Sequence, residues 1–219
     1  MWKAILICLA ALVGGAPSGA QERSGPSSWK GKYVEYQFNL AGAVAVGGDT
    51  NGSVVHSGSD WRSDYDLYQN DRGVVRLELT RMNRYRSVEG PLENKILDYS
   101  RGVGWIWDKG GTTAIEGPFG PPVAGKSLGR RQILGFTCGG EEYEWKTGQQ
   151  SRVQLQSWSP QDTSFRFPVL RVQYVTDSAG VLLALIVDVV TQVEAVPDLP
   201  SSLFNPPAGL KVHSVPSLD

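Results

Sequence analysis

From Lys32 onward this chain alternates apolar and polar residues with a period of two, and it does so in one short run after another. Val34, Tyr36, Phe38 and Leu40 share one side of an extended segment, with Glu35, Gln37 and Asn39 on the other. Val75, Leu77 and Leu79 stand in the same way against Arg76, Glu78 and Thr80. Further strand candidates are 95–99, 103–108, 112–116, 131–136, 141–147, 152–158, 168–176 and 181–195, separated by Gly, Pro, Asp or Ser. No stretch beyond residue 20 has three convincing capped turns of amphipathic helix, so alternating strand and helix finds little support and an antiparallel meander is predicted. One turn of helix is expected within Asp198–Phe204. The run from Val181 to Val190 is apolar except for Asp188, which marks a central strand covered on both faces.

The first 20 residues read as a secretory leader. Lys3 supplies the basic start, Ala4–Val13 the apolar run, and Ser18-Gly19-Ala20 the small-residue cleavage site. The mature chain is expected to begin near Gln21, with residues 21–31 a polar, flexible entry and 32–219 a single β-rich domain. The apolar run is shorter than the roughly 20 residues a membrane helix needs, so no integral membrane segment is expected. A periplasmic or secreted location follows. With Lys3 removed the formal charge moves from −1 to −2, which gives no electrostatic reason to bind nucleic acid. Of Cys8 and Cys138 only the second outlasts the leader, so no internal disulfide can form, and Cys138 reads as a small buried hydrophobe.

Several motifs suggest chemistry and lack its setting. Gly120-Pro-Pro-Val-Ala-Gly-Lys-Ser127 matches the phosphate-loop spacing, and Leu182–Asp188 resembles an apolar strand ending in a magnesium-holding Asp. A phosphate loop needs a buried strand before it and a helix N-terminus after it. Here Gly129 interrupts any such helix, and residues 117–129 read instead as a long irregular loop crossing a sheet end or a cavity mouth. His56 and His213 are the only histidines, and neither has a nucleophile elbow or a second ligand at metal spacing. Asp60, Asp64 and Asp66 lack the spacing of a calcium loop. Alternation puts Glu142 and Glu144 together on one face, a solvated strand face rather than a glycosidase pair. No catalytic residue, cofactor or metal is therefore expected.

The aromatic residues are more suggestive. Trp105 and Trp107 share a strand face, as do Tyr143 and Trp145. With Trp158 and Tyr174 they are candidates to line an apolar cavity or a carbohydrate-binding face, or else to fill an ordinary core.

Three ordered stretches carry a resemblance: Ile96–Asp108 with its two tryptophans, Leu134-Gly-Phe-Thr-Cys-Gly-Gly-Glu-Glu-Tyr-Glu-Trp145, and Pro200-Ser-Ser-Leu-Phe-Asn-Pro-Pro-Ala-Gly-Leu-Lys-Val212. Over residues 95–212 the chain resembles bacterial exported proteins of unknown function, related in architecture to the outer-membrane lipoprotein carrier and localisation-factor proteins. The resemblance implies a half-barrel, one strongly curved antiparallel sheet around an apolar concavity, with Leu203-Phe204 plugging one end. Carriers of this kind hold acyl chains without covalent chemistry, since apolar burial at about 25 cal/mol per Å² suffices. The chain lacks the helices that form a carrier's lid, so either loop 117–129 replaces the lid or the concavity is filled. The expectation is thus an exported, non-catalytic binding or carrier-like protein with an apolar groove for lipid or acyl chains, of unknown oligomeric state. A structural or interaction module, and a hydrolase of an envelope polymer acting through Glu141–Glu144, are the alternatives.

Overall fold

The computed structural model describes residues 28–40, 61–84, 93–147 and 151–218. The expected leader and cleavage point, residues 21–27, His56 and Asp60 lie outside them. Among the described residues twelve strands form: β1 (Ser28–Asn39), β2 (Trp61–Gln69), β3 (Val74–Arg84), β4 (Glu93–Asp98), β5 (Val103–Asp108) and β6 (Thr113–Pro118). The second set is β7 (Lys126–Ile133), β8 (Phe136–Lys146), β9 (Arg152–Pro160), β10 (Leu170–Thr176), β11 (Leu182–Val196) and β12 (Lys211–Ser214). A 3₁₀ turn at Ser201–Phe204 falls inside the predicted helical stretch.

All twelve strands lie in one sheet, ordered β12-β6-β5-β4-β3-β2-β1-β11-β10-β9-β8-β7. It is two meanders, β1 to β6 and β7 to β11, joined where β1 pairs antiparallel with β11. The prediction that 181–195 is central holds, because β11 lies between β1 and β10. Only β12 departs from the meander, pairing parallel with β6 at one edge; β7 is the other, so the sheet is not closed.

Three hairpins share one device. Asn70 Oδ1 accepts from the backbone N–H of Arg72 and Val74, Asp98 Oδ1 from Ser100 and Arg101, and Asp177 Oδ1 from Ala179 and Val181. Each turn then reaches a glycine with positive φ, Gly73, Gly102 and Gly180, where a side chain would be strained. The β7–β8 hairpin turns on Leu134 (φ 52°) and Gly135 (φ 79°). This turn falls inside the stretch 131–136, which alternation reads as one strand, and splits it. The strands are instead β7, up to Ile133, and an unbroken β8.

Other boundaries also move. Ser28–Gly31, expected in the flexible entry, begin β1, because Trp29 packs against Phe165 and Phe136 at ring separations of 5.5 and 6.0 Å. The irregular stretch 117–129 shrinks to residues 119–125. Lys126, the phosphate-loop lysine by spacing, opens β7 rather than a helix, so the cradle that motif requires does not form.

The sheet is strongly curved. Ile106 of β5 and Tyr143 of β8 are eight strand spacings apart, roughly 38 Å in a flat sheet at about 4.8 Å each. Both line one cavity of about 430 Å³. Only a sheet curled into a half-barrel brings them that close. Its inner face carries Tyr33, Tyr65, Leu67, Leu77 and Leu79, all buried. Among the described residues no helix is long and apolar enough to cross a membrane.

Candidate functional site

The inner face begins at a sealed end. Residues 161–169, between β9 and β10, bury Phe165, Phe167 and Val169 completely or nearly so. Phe165 stacks on Phe136 at 5.7 Å, and Phe167 meets the rings of Tyr33 and Tyr99 edge-on at 5.2 and 6.4 Å. Gln69 of β2, wholly buried, pins this loop with both ends of its amide. Its Nε2 donates to Ser164 O, and its Oε1 accepts from the Arg166 N–H, both at 2.7 Å. Trp29 Nε1 adds a hydrogen bond to Ser164 Oγ at 3.0 Å. This loop is the plug, and the sequence reading missed it. A faint signal existed, since Phe165, Phe167 and Val169 keep the period-two rhythm through a polar, proline-containing stretch.

Beyond Phe167 the face opens into the 430 Å³ cavity. Its lining is mixed rather than apolar, which corrects the expected groove. Leu97, Ile106, Phe119, Leu155 and Ile186 supply hydrocarbon, while Glu35, Lys95, Arg171 and Asp188 supply charge. Glu35 on β1, Asp188 on β11 and Arg171 on β10 are direct cross-strand partners, forming a row across the strands. Lys95 reaches the same cavity from β4, its Nζ 5.6 Å from the centre of the Tyr65 ring.

Asp188 is the unusual member. It is only 8% exposed, and burial raises its pKa from the ordinary 3.8 to about 6, with Glu35 adding to the rise. Arg171, whose Nη1 lies 3.7 Å from Oδ2, opposes the shift, and the Tyr33 hydroxyl and the charge of Lys95 oppose it more weakly. The other oxygen, Oδ1, accepts no hydrogen bond from the described residues. Burial pulls Lys95 down, yet Tyr65, Glu35, Glu93 and Asp188 together more than offset it and hold the ammonium above its ordinary value. Tyr65 and Tyr143 are each pushed up to about 12, both chiefly by burial.

The predicted site residues divide between the two faces. Tyr143 lines the cavity and donates its hydroxyl hydrogen to Glu141. Trp145 lies two residues further along the same side of β8 and is half-buried. Trp105 and Trp107 sit on the opposite face, because their neighbour Ile106 is the one that points into the cavity with Lys95. Trp107 packs there with Ile96 and Ala114 in a second cluster, joined by Val74, Trp105 and Leu210. Phe204 belongs to this outer side too and plugs nothing. Its 3₁₀ turn lies against β3, where Arg76 Nη1 donates to Leu203 O at 2.9 Å while the guanidinium covers Trp107 at 5.4 Å. Trp158 and Tyr174 also face outward, since Ser157, Ser159, Arg171 and Gln173 take the inward positions. The Trp158 indole lies flat across Gly140, where a Cβ would approach it to 2.5 Å, under the Arg131 guanidinium at 3.7 Å.

The acidic candidates are engaged elsewhere. Glu142 accepts from Gln154 and Gln156 at 2.7 and 3.1 Å, and these two amides hold its carboxyl below the ordinary range. Glu144 pairs with Arg152, Asp64 with Arg62 and Asp66 with Lys32. Cys138 is fully buried, as expected, and burial raises its thiol to about 11, which leaves it protonated and unreactive.

No family model matches this chain, and neither does any curated protein. Solved structures do. An uncharacterized conserved protein from Thermus thermophilus is 11% identical, with 97% of this chain and 98% of that one aligned at a TM-score of 0.43. MucB of Pseudomonas aeruginosa, solved in a complex with MucA, is 14% identical over 86% of this chain and 59% of its own, with a TM-score of 0.39. MucB solved alone is 13% identical over 85% and 59%, also at 0.39.

Proposed function

We propose that this chain is an exported, non-catalytic binding protein that holds a small ligand in the inner-face cavity. The observation that supports it is the space itself: the curled sheet leaves about 430 Å³ that neither the plug nor the strands fill. That volume falls in the range of small-molecule sites, about 300–1,000 Å³. The mixed lining suits an amphiphile, with hydrocarbon held by burial and a polar group held at the row of charges. Native mass spectrometry of the chain beginning at Gln21, with uptake of a fluorescent short-chain lipid, tests the reading. Co-purifying ligand, or saturable uptake blocked by Ser157→Trp in the cavity wall, is the expected result. No bound species and no uptake overturns it. Export itself predicts that the chain, expressed with residues 1–20 in a bacterial host, is recovered outside the cytoplasm with Gln21 at its N-terminus.

A second reading has one specific observation in its favour. Glu35 and Asp188 are cross-strand carboxylates on the inner face, and burial raises the pKa of Asp188, as it does for the acid of a glycoside-hydrolysing pair. It moves the hydrolase alternative from Glu141–Glu144 to the inner face. Polymer turnover by the purified chain that disappears in Glu35→Gln favours this reading over binding alone.

A further inference from the structure

Resting on the reading that the cavity binds a ligand, the charges around Asp188 narrow the ligand's class. Two carboxylates, Glu35 and Asp188, face two cations, Lys95 and Arg171, and Glu93 lies 4.0 Å from Lys95, so each cation already has an acid beside it with no guest present. An anionic head group would have to sit beside two carboxylates. A cationic one would have to crowd Lys95 and Arg171. Either adds an uncompensated charge beside the buried Asp188 carboxyl, where such charges are costly. A pure hydrocarbon avoids that cost but leaves Asp188 Oδ1 desolvated and unpaired. The remaining class is neutral and donates a hydrogen bond.

We propose that the cavity selects a short, neutral, hydroxylated amphiphile, whose hydroxyl donates to Asp188 Oδ1 while its hydrocarbon lies against Leu97, Ile106, Phe119, Leu155 and Ile186. Size agrees with this. At about 30 Å³ per water-sized group, 430 Å³ holds roughly 14 such groups, enough for a chain of about eight carbons with a small head. A full-length phospholipid does not fit.

Four eight-carbon probes test the proposal by calorimetry at pH 7.5: 1-monooctanoylglycerol, methyl octanoate, octanoate and octylammonium. The expected result is that the glycerol ester binds about ten-fold or more tightly than the methyl ester, the effect of one hydrogen bond to a buried charged acceptor, and more tightly than either ion. In Asp188→Leu the glycerol ester should lose that advantage while methyl octanoate binds as before. In Asp188→Asn, which keeps an acceptor oxygen, part of the advantage should survive. Equal binding of the two esters overturns the proposal and leaves the binding reading standing. Tightest binding by octanoate or by octylammonium overturns it in favour of a charged ligand. Failure of all four removes the binding reading along with it. Should Asp188→Leu not fold, the ranking of the four probes on the unmodified chain decides by itself.

Discussion

At one end of the inner face the sheet supplies its own guest, and a few residues along the same strands it does not. Trp29, at the start of β1, meets a loop whose aromatic side chains fill the concavity and whose backbone is met by both ends of the Gln69 amide. Glu35, six residues further on, faces a cavity edged by charges in which one carboxylate oxygen of Asp188 has no partner among the described residues. Both regions are buried and both contain polar groups. They differ in whether those groups are satisfied, and that is the difference expected between a structural seal and a receptive site.

The largest test of this contrast is to remove the seal. Phe165→Ala deletes a fully buried ring between Trp29 and Phe136, and such deletions cost about 3 to 5 kcal/mol. Urea unfolding should show that loss. A loss under about 1 kcal/mol would mean that 161–169 is a lid that lifts rather than a plug, and the two ends would then be alike. Gln69→Leu should follow at about 2 to 4 kcal/mol, because it leaves Ser164 O and the Arg166 N–H buried without partners. Rescue in Gln69→Glu should be incomplete, since a carboxylate accepts from Arg166 but cannot donate to Ser164.

The receptive region should instead reveal itself through pH. A folded carboxyl with its pKa raised from 3.8 to about 6 binds its proton more tightly than in the unfolded chain. The stability Asp188 contributes is therefore fully present below about pH 3.8 and is lost as pH rises through about 6. Lys95 and Tyr33, both held above their ordinary values, keep their protons across that window. The stability of the native chain minus that of Asp188→Asn should accordingly fall between about pH 4 and pH 7, whatever constant cost the substitution adds. A flat difference would show that Asp188 does not titrate there and that the row is an ordinary ion-pair network.

How much of this was legible follows from the range of each signal. Alternation, Asx turns and glycines act over a few residues, so most strands and hairpins could be read, as could the central place of the apolar run around Asp188. Trp61–Gln69 escaped because Asp64, Asp66 and Tyr68 on its outer side hide the alternation of Tyr65, Leu67 and Gln69. That Trp105 and Trp107 share a face was readable; which face was not. It depends on the register of β5 against β4, and a slip of one residue would invert it. Asp188 stood out as a lone charge, but its partners Glu35 and Arg171 come from strands that only the β1–β11 and β10–β11 pairings bring together. Gln69 and the loop it pins are 95 and 97 residues apart at the two bonded positions, beyond any local pattern.

The smallest expected effect lies on the outer face, and it guards the comparison from the other side. Glu142 and Glu144 are carboxylates close in sequence, as the inner pair is close in space, yet each already has its partners: two glutamine amides for one and Arg152 for the other. Glu144 is also open to solvent and Glu142 partly so, which screens their charges and leaves little to lose. Glu142→Gln and Glu144→Gln should each shift stability by no more than about 0.5 kcal/mol and leave probe binding unchanged. If either substitution weakened ligand uptake several-fold while the melting curve stayed put, the outer face would be the receptive one. Asp188 would then be a buried group that the fold merely tolerates.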